Sequence, residues 1–345
     1  MAETQQTATQ QTATQHTETQ TGDAAKVRTV HRAILAAETE LRGRHTWLRH
    51  QDAIGLSLWL AALLAFAGIC ALFVQGQLPV WALVPLAALP LSVLHELEHD
   101  LIHDLYFKPR PWLQDLLFAG IWLAKASINP WARGEIHLLH HRFSGQKNDV
   151  EERLIGLGVR SVPLRLLIAF LPATAVVLVP AIRRDAPEWK VLRGSRWSRA
   201  RQIQRVDLLF FGLPLLLPLA WALGVPAARE LYLCWILPNV LRHGFIVLMS
   251  SYSHYYEIPG HNVLYQNQIL RHPLLLPLQV FCWDFGATHI IHHYVVTQPF
   301  YVRHLLRRQA WRALEAAGTR VNDFGIVRRA NRWAEPGASV LEAPA

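Results

Sequence analysis

Three short stretches decide how this chain is read: His95-Glu96-Leu97-Glu98-His99, His137-Leu138-Leu139-His140-His141 and His289-Ile290-Ile291-His292-His293. They hold eight of the chain's 18 histidines, and each lies beside a long apolar run. Neutral imidazole is the commonest biological metal ligand. On a helix, residues four apart sit about 40° apart around the axis. His95, His99 and His103 therefore share one narrow face, and His137, His140 and His141 fall within an arc of about 100°. Residues 289–293 repeat that spacing. One tetrahedral zinc takes three or four ligands, so eight or nine imidazoles point to two ions. Imidazole suits Zn, Cu, Fe and Ni alike, and the spacing does not choose among them.

The surroundings are those of a membrane. Of 345 residues, 52% are hydrophobic and 17% charged, and the formal net charge is +9. Basic residues flank the apolar segments, as cytoplasmic loops against anionic lipid do, which argues against a nucleic-acid partner. Cys70, Cys234 and Cys282 form no CxxC pair, which excludes a cysteine-type zinc site and a disulfide framework. Histidine beside a membrane core is expensive and normally functional.

Residues 1–24 form a Thr/Gln-rich tract with no apolar face, expected to be a disordered tail. It lacks the basic start and apolar core of a signal peptide. Residues 25–52 alternate Lys26, Arg28, Arg32, Arg42, Arg44 and Arg49 with Val30, Ile34, Leu35 and Leu41, the pattern of a basic amphipathic helix on the cytoplasmic membrane surface. Apolar stretches follow at 54–74 and 79–94, a hairpin that places the first histidine stretch at the end of the second span. Residues 112–124 are too short to cross and suit an interfacial helix.

Further apolar stretches lie near 166–182, 207–226 and 231–250. The segment 183–205 carries eight Lys and Arg against two acids and is expected to be cytoplasmic. One shared metal site then requires that 166–182, broken by Pro172, dip in without crossing. The expected fold is all-α: about four transmembrane helices in two hairpins, over residues 53–305, under a histidine-rich cytoplasmic helical cap. Residues 306–345 follow as a basic cytoplasmic segment. The active site and both termini face the cytoplasm, and a bacterial inner membrane is the expected location.

The series His95–x3–His99, His137–x2–His140–His141 and His289–x2–His292–His293 resembles the three histidine boxes of the membrane-bound fatty acid desaturase superfamily. That superfamily holds acyl desaturases, alkane and acyl hydroxylases and 1-alkene-forming decarboxylases. The resemblance spans about residues 50–305, including the order of spans and boxes. It implies a non-haem centre of two Fe2+ ions, O2 as co-substrate and a fatty acyl chain as substrate, attacked by C–H abstraction to give desaturation or hydroxylation. It also implies a ninth ligand after the fourth span. His254 in Ser253-His254-Tyr255-Tyr256 resembles the histidine-tyrosine motif of the alkane hydroxylases, and His243, mid-span behind Asn239 and Arg242, competes with it. An interhelical hydrogen bond would also account for His243. His103 extends the first face without a clear counterpart. The first box has three residues between histidines where many acyl-lipid desaturases have four, and its His-Glu-Leu start is nearer the alkane hydroxylases. The stretch from His141 through Phe143, Ser144 and Gly145 to Glu151, Glu152 and Arg153 is similar to the 1-alkene-forming decarboxylases, so oxidative decarboxylation of a free fatty acid stays open.

Glu96, Glu98, Asp100 and Glu135 are candidates to orient imidazoles by accepting the second ring proton. No Gly-rich dinucleotide fingerprint follows a predicted strand, so electrons are expected from a separate donor, a ferredoxin or rubredoxin with its reductase. The basic segments 183–205 and 303–333 offer it a docking surface, and lipid headgroups would suit them as well. His95-Glu96-x-x-His99 also fits the HExxH motif of zinc membrane proteases. That reading leaves six histidines unexplained. A metal transporter or haem anchor would need histidines along the spans, where only His243 lies clearly mid-membrane.

Overall fold

In a computed structural model the chain is mostly helical. Residues 2–144, 149, 151, 161–171, 195–255 and 262–329 are described, without the side chains of 2–21 and 195–205. The helices are α1 (Ala2–Arg44), α2 (Gln51–Val74), α3 (Val80–Ile102), α4 (Pro111–Lys125), α5 (Pro130–Phe143), α6 (Val162–Phe170), α7 (Ser195–Ala222), α8 (Ala228–Ser253), α9 (Phe285–Tyr294) and α10 (Phe300–Ala316). A two-residue parallel pairing joins β1 (Gln268–Ile269) to β2 (Arg320–Val321).

Among the described residues, three helices are long and apolar enough to cross a membrane: α2, α3 and α8. A fourth candidate is the pair Pro273–Val280 and α9, bent by 79°. The stretch expected to cross over 207–226 is shorter than expected, its apolar part being Val206–Ala222 at the end of α7. Of the stretch near 166–182, only the part in α6 and Leu171 is described, so the expected dip lies largely outside the described residues.

α2 turns through Gln75–Pro79 into α3, and the two pack antiparallel. α4 also approaches α2 closely, because Gly120 on α4 admits Trp59 of α2: a Cβ there would stand 2.5 Å from the indole. Trp59 Nε1 donates to the Leu117 carbonyl at 3.2 Å. Small residues let helix backbones approach where lipid offers no hydrophobic drive. α8 contains a π-helical segment, Tyr232–Ile236, immediately before Pro238. Proline lacks the N–H that would satisfy the carbonyl four residues back. The Cys70 thiol of α2 donates to that Cys234 carbonyl instead, at 3.6 Å.

α1 does not keep its apolar stripe free for a bilayer. Val30, Ile34 and Ala37 are buried against Ile290, Ile291 and Tyr294 of α9 and Leu306, Ala310 and Leu314 of α10. Asp23 accepts from the Tyr265 hydroxyl at 2.8 Å, so contacts with the body begin within the stretch expected as tail. The side chains of 2–21 lie outside the described residues.

Candidate metal centre

Each histidine stretch is placed by hydrogen bonds to neighbouring elements. Asn129 caps α5, accepting from the Ala132 N–H at 2.8 Å, with Pro130 at the first helical position. Its amide donates to Asp207 of α7 at 2.5 Å, which fixes the helix carrying His137, His140 and His141. Asp100 of α3 accepts from the Phe300 N–H and the Tyr106 hydroxyl, each at 2.9 Å, and ties the end of α3 to the start of α10. The Trp311 indole donates to the Ala287 carbonyl at 2.7 Å and holds α9 against α10. His254 follows the last residue of α8 in extended backbone, bridged to Asn267.

These elements bring nine imidazoles into two groups: His99, His103, His137, His141 and His292, and His140, His254, His289 and His293, with the ligand atoms of each group within 4.8 Å of one another. The adjacent pairs divide. His140 and His141 go to different groups, as do His292 and His293, because neighbours on a helix point about 100° apart. In the first group Nε2 of His103 lies 3.0 Å from that of His137 and 3.1 Å from that of His292. His141 Nε2 is 3.0 Å from His137 and 2.9 Å from His292. In the second, His289 Nε2 is 2.9 Å from His254 and 3.0 Å from His293.

Those spacings carry geometric information. Two nitrogens roughly 2.1 Å from one ion lie about 3.0 Å apart at a right angle and about 3.4 Å apart at a tetrahedral angle. The contacts of the first set match the right angle; in the second set His140 Nε2 stands 3.3 Å from that of His293, nearer the tetrahedral value, and the five donors of the first set exceed a tetrahedral set. An ion of higher coordination number than structural zinc fits these residues. Burial and neighbouring imidazoles hold His137 and His141 well below the ordinary range, and burial pushes His103 down to about 4, so all three are neutral and ligand-competent at pH 7.

His95 is not brought into either group, contrary to expectation. His95, His99 and His103 are equally spaced, but α3 ends at Ile102 and His103, as its C-cap, joins the cluster. His95 sits one turn back, its Nε2 3.3 Å from Arg133 Nη2. His243 is likewise outside both groups, while His254 is inside one.

The expected orienting acids also need correction. Glu98 is taken by Lys125 at 2.5 Å and Arg133 at 2.7 Å. Glu135 makes no hydrogen bond or ion pair among the described residues. Asp100 lies 3.8 Å from His99 Nδ1, beyond a hydrogen bond. The acids that reach ring nitrogens come from the segment after the second box: His137 Nδ1 is 2.7 Å from Glu151 and His140 Nδ1 2.9 Å from Asp149. Glu96 and Asp100 reach no ring nitrogen; they lie 3.4 and 3.3 Å from buried Arg303, whose Nη1 stands 2.8 Å from His292 Nδ1. Arg303 had read as the start of a basic surface.

The family model for fatty acid desaturases matches residues 77–325, which contain all nine clustered histidines. The chain belongs to the fatty acid desaturase family. This member of the family is therefore an oxidoreductase and a membrane protein, with histidine clusters suited to metal. No curated protein sequence matches it.

Proposed function

We propose that this desaturase is a membrane-bound, O2-dependent oxidase with two iron ions, acting on a C–H bond of a fatty acyl chain to give desaturation or hydroxylation. The observation that carries the proposal is the division of nine imidazoles into sets of five and four, with neighbouring ring nitrogens as close as 2.9 Å, inside a desaturase-family domain. His99, His103, His137, His141 and His292 would hold one ion; His140, His254, His289 and His293 would hold the other. Bound there, iron would supply the activation of O2, the oxidant, for attack on an unactivated methylene.

The chain's own residues supply positioning. Glu151 and Asp149 accept the Nδ1 protons of His137 and His140, which fixes the tautomer that leaves Nε2 free for metal. Asp100 and Glu96 hold the Arg303 guanidinium against His292. Burial of His99, His140, His254 and His292 keeps water from the centre. A zinc protease is not supported: His95 and His99 do not converge, and Glu96 faces Arg303.

Electrons would come from a ferredoxin or rubredoxin with its reductase. A cleft of about 560 Å³ between Arg28, His31 and Arg32 of α1 and His293 and Tyr294 of α9 opens toward the second set, and its positive rim suits an acidic carrier. We place the histidine cap and both termini on the cytoplasmic side of a bacterial inner membrane, in contact with lipid, with the spans in two hairpins. The test is mass spectrometry of products from cells expressing the protein and fed fatty acids of several lengths. Desaturated or hydroxylated acid is expected; no oxidised product under aerobic, iron-replete conditions refutes the proposal. A terminal alkene one carbon shorter would assign decarboxylation to the same centre.

A further inference from the structure

Beside the end of α3, three helices bring cationic side chains into the interior, Lys125 from the end of α4, Arg133 from α5 and Arg242 from α8, around Glu98 of α3. Glu98 receives both Lys125 and Arg133. Arg242 is left over. It is 2% exposed, and its Nε and Nη1 have no hydrogen-bond partner among the described residues. Its charge bears on Lys125 and on the His95 ring, and it interacts with Glu98 at a distance without pairing. His95 Nδ1 is buried and unpartnered as well.

Three cations face one fully committed carboxylate. Glu151 approaches Arg133 at 4.0 Å but is occupied by His137 at 2.7 Å. A buried guanidinium whose Nε and Nη1 find no partner among the described residues is costly inside a membrane span, and such groups mark binding sites for opposite charge. Burial, reinforced by Arg133 and Arg242, pushes Lys125 down against the pull of Glu98, as expected where positive charge is in excess. The guanidinium fork matches a carboxylate in two parallel hydrogen bonds.

We propose that Arg242, together with Lys125 and Arg133, binds the carboxylate of a free long-chain fatty acid, so that the substrate enters as the acid and not as a thioester or ester-linked lipid. The ligand class follows from the setting. A site enclosed by apolar helices is reached by an anion carrying an apolar tail, whereas a coenzyme or phospholipid head would bring several further charges into it. His95 and Arg133 each lie four residues from a clustered histidine, roughly 6 Å along their helices. The first carbons after the carboxylate therefore come nearest the first histidine set. This inference rests on the reading of the chain as an oxidase of acyl chains.

The experiment uses the full chain in nanodiscs and dodecanoic acid bearing a terminal photoreactive diazirine, with its methyl ester as control and labelling read by intact mass. Wild type is expected to label at least tenfold more with the acid than with the ester. Arg242→Gln, with unchanged helical circular dichroism and metal content, should lose at least tenfold of the acid labelling, and Arg242→Lys should keep part of it. Equal labelling by acid and ester overturns the proposal and needs no variant, so it stands even if Arg242→Gln fails to fold. A folded Arg242→Gln that labels as wild type does the same. The two readings fail separately. Acid-selective labelling without turnover of any acyl chain counts against the oxidase alone, whereas oxidation of acid and ester alike, unaffected in Arg242→Gln, counts against the carboxylate site alone.

Discussion

Replacing His103 and His95 by alanine, one at a time, separates the structure from the simplest reading of the first histidine box. His103 Nε2 stands 3.0 and 3.1 Å from the Nε2 atoms of His137 and His292, so it is one of five nitrogens around a common point. Losing a group that merely orients a ligand lowers metal affinity about 10–100-fold. Losing a ligand should exceed that, by more than about 100-fold on the same scale. His95 contributes one contact of 3.3 Å to Arg133, which keeps its shorter bond to Glu98. Its removal should cost about 0.5–1.5 kcal/mol of stability and leave metal content unchanged. The assay is elemental analysis of the purified variants by plasma mass spectrometry, with a thermal melt beside it. His103→Ala should lose one ion per chain, and His95→Ala should retain both. Metal loss in His95→Ala equal to that in His103→Ala, or a fully loaded His103→Ala, would refute the assignment.

Other outcomes follow from the same geometry. Glu151→Gln and Asp149→Asn should each weaken metal binding by about 10–100-fold without unfolding the protein, measured by competition with a chelator. Gly120→Ala should destabilise the packing of α4 on α2 by about 1–3 kcal/mol because its Cβ meets Trp59, and Trp59→Ala in the same chain should relieve the clash in a thermal melt. Metal-stripped protein should lose stability as the pH falls from 6.5 toward 4. The unfolded chain's histidines take protons near 6.5, while buried His103 resists them until about 4 and His137 to still lower pH, so the unfolded state binds more protons in that window. A melting temperature that stays flat or rises on acidification would contradict this sign.

The helical pattern and the gathering of the histidines into clusters were legible because histidine spacing has the helix period. Spacing alone could not choose between His95 and His103. Both stand four residues from His99, and the choice depends on where α3 ends. His254 was found from its place after a span, and the structure brings it to His289. The orienting groups were misread for a different reason. Acids next to the boxes in sequence turn toward Lys125, Arg133 and Arg303, while Glu151 and Asp149 reach the rings by folding back from the following segment. Arg303 was hidden in the same way: in a run of basic residues nothing local distinguishes the one that α10 turns inward. Such tertiary closures, like the pairing of β1 with β2, leave no periodic mark.

The most direct measurement is the metal content of the full chain purified after expression in iron-replete medium. The account predicts close to two irons per chain and little zinc, with loss of both when His140→Ala and His292→Ala are combined. One zinc per chain with no iron, or two irons that survive the double substitution, would contradict it.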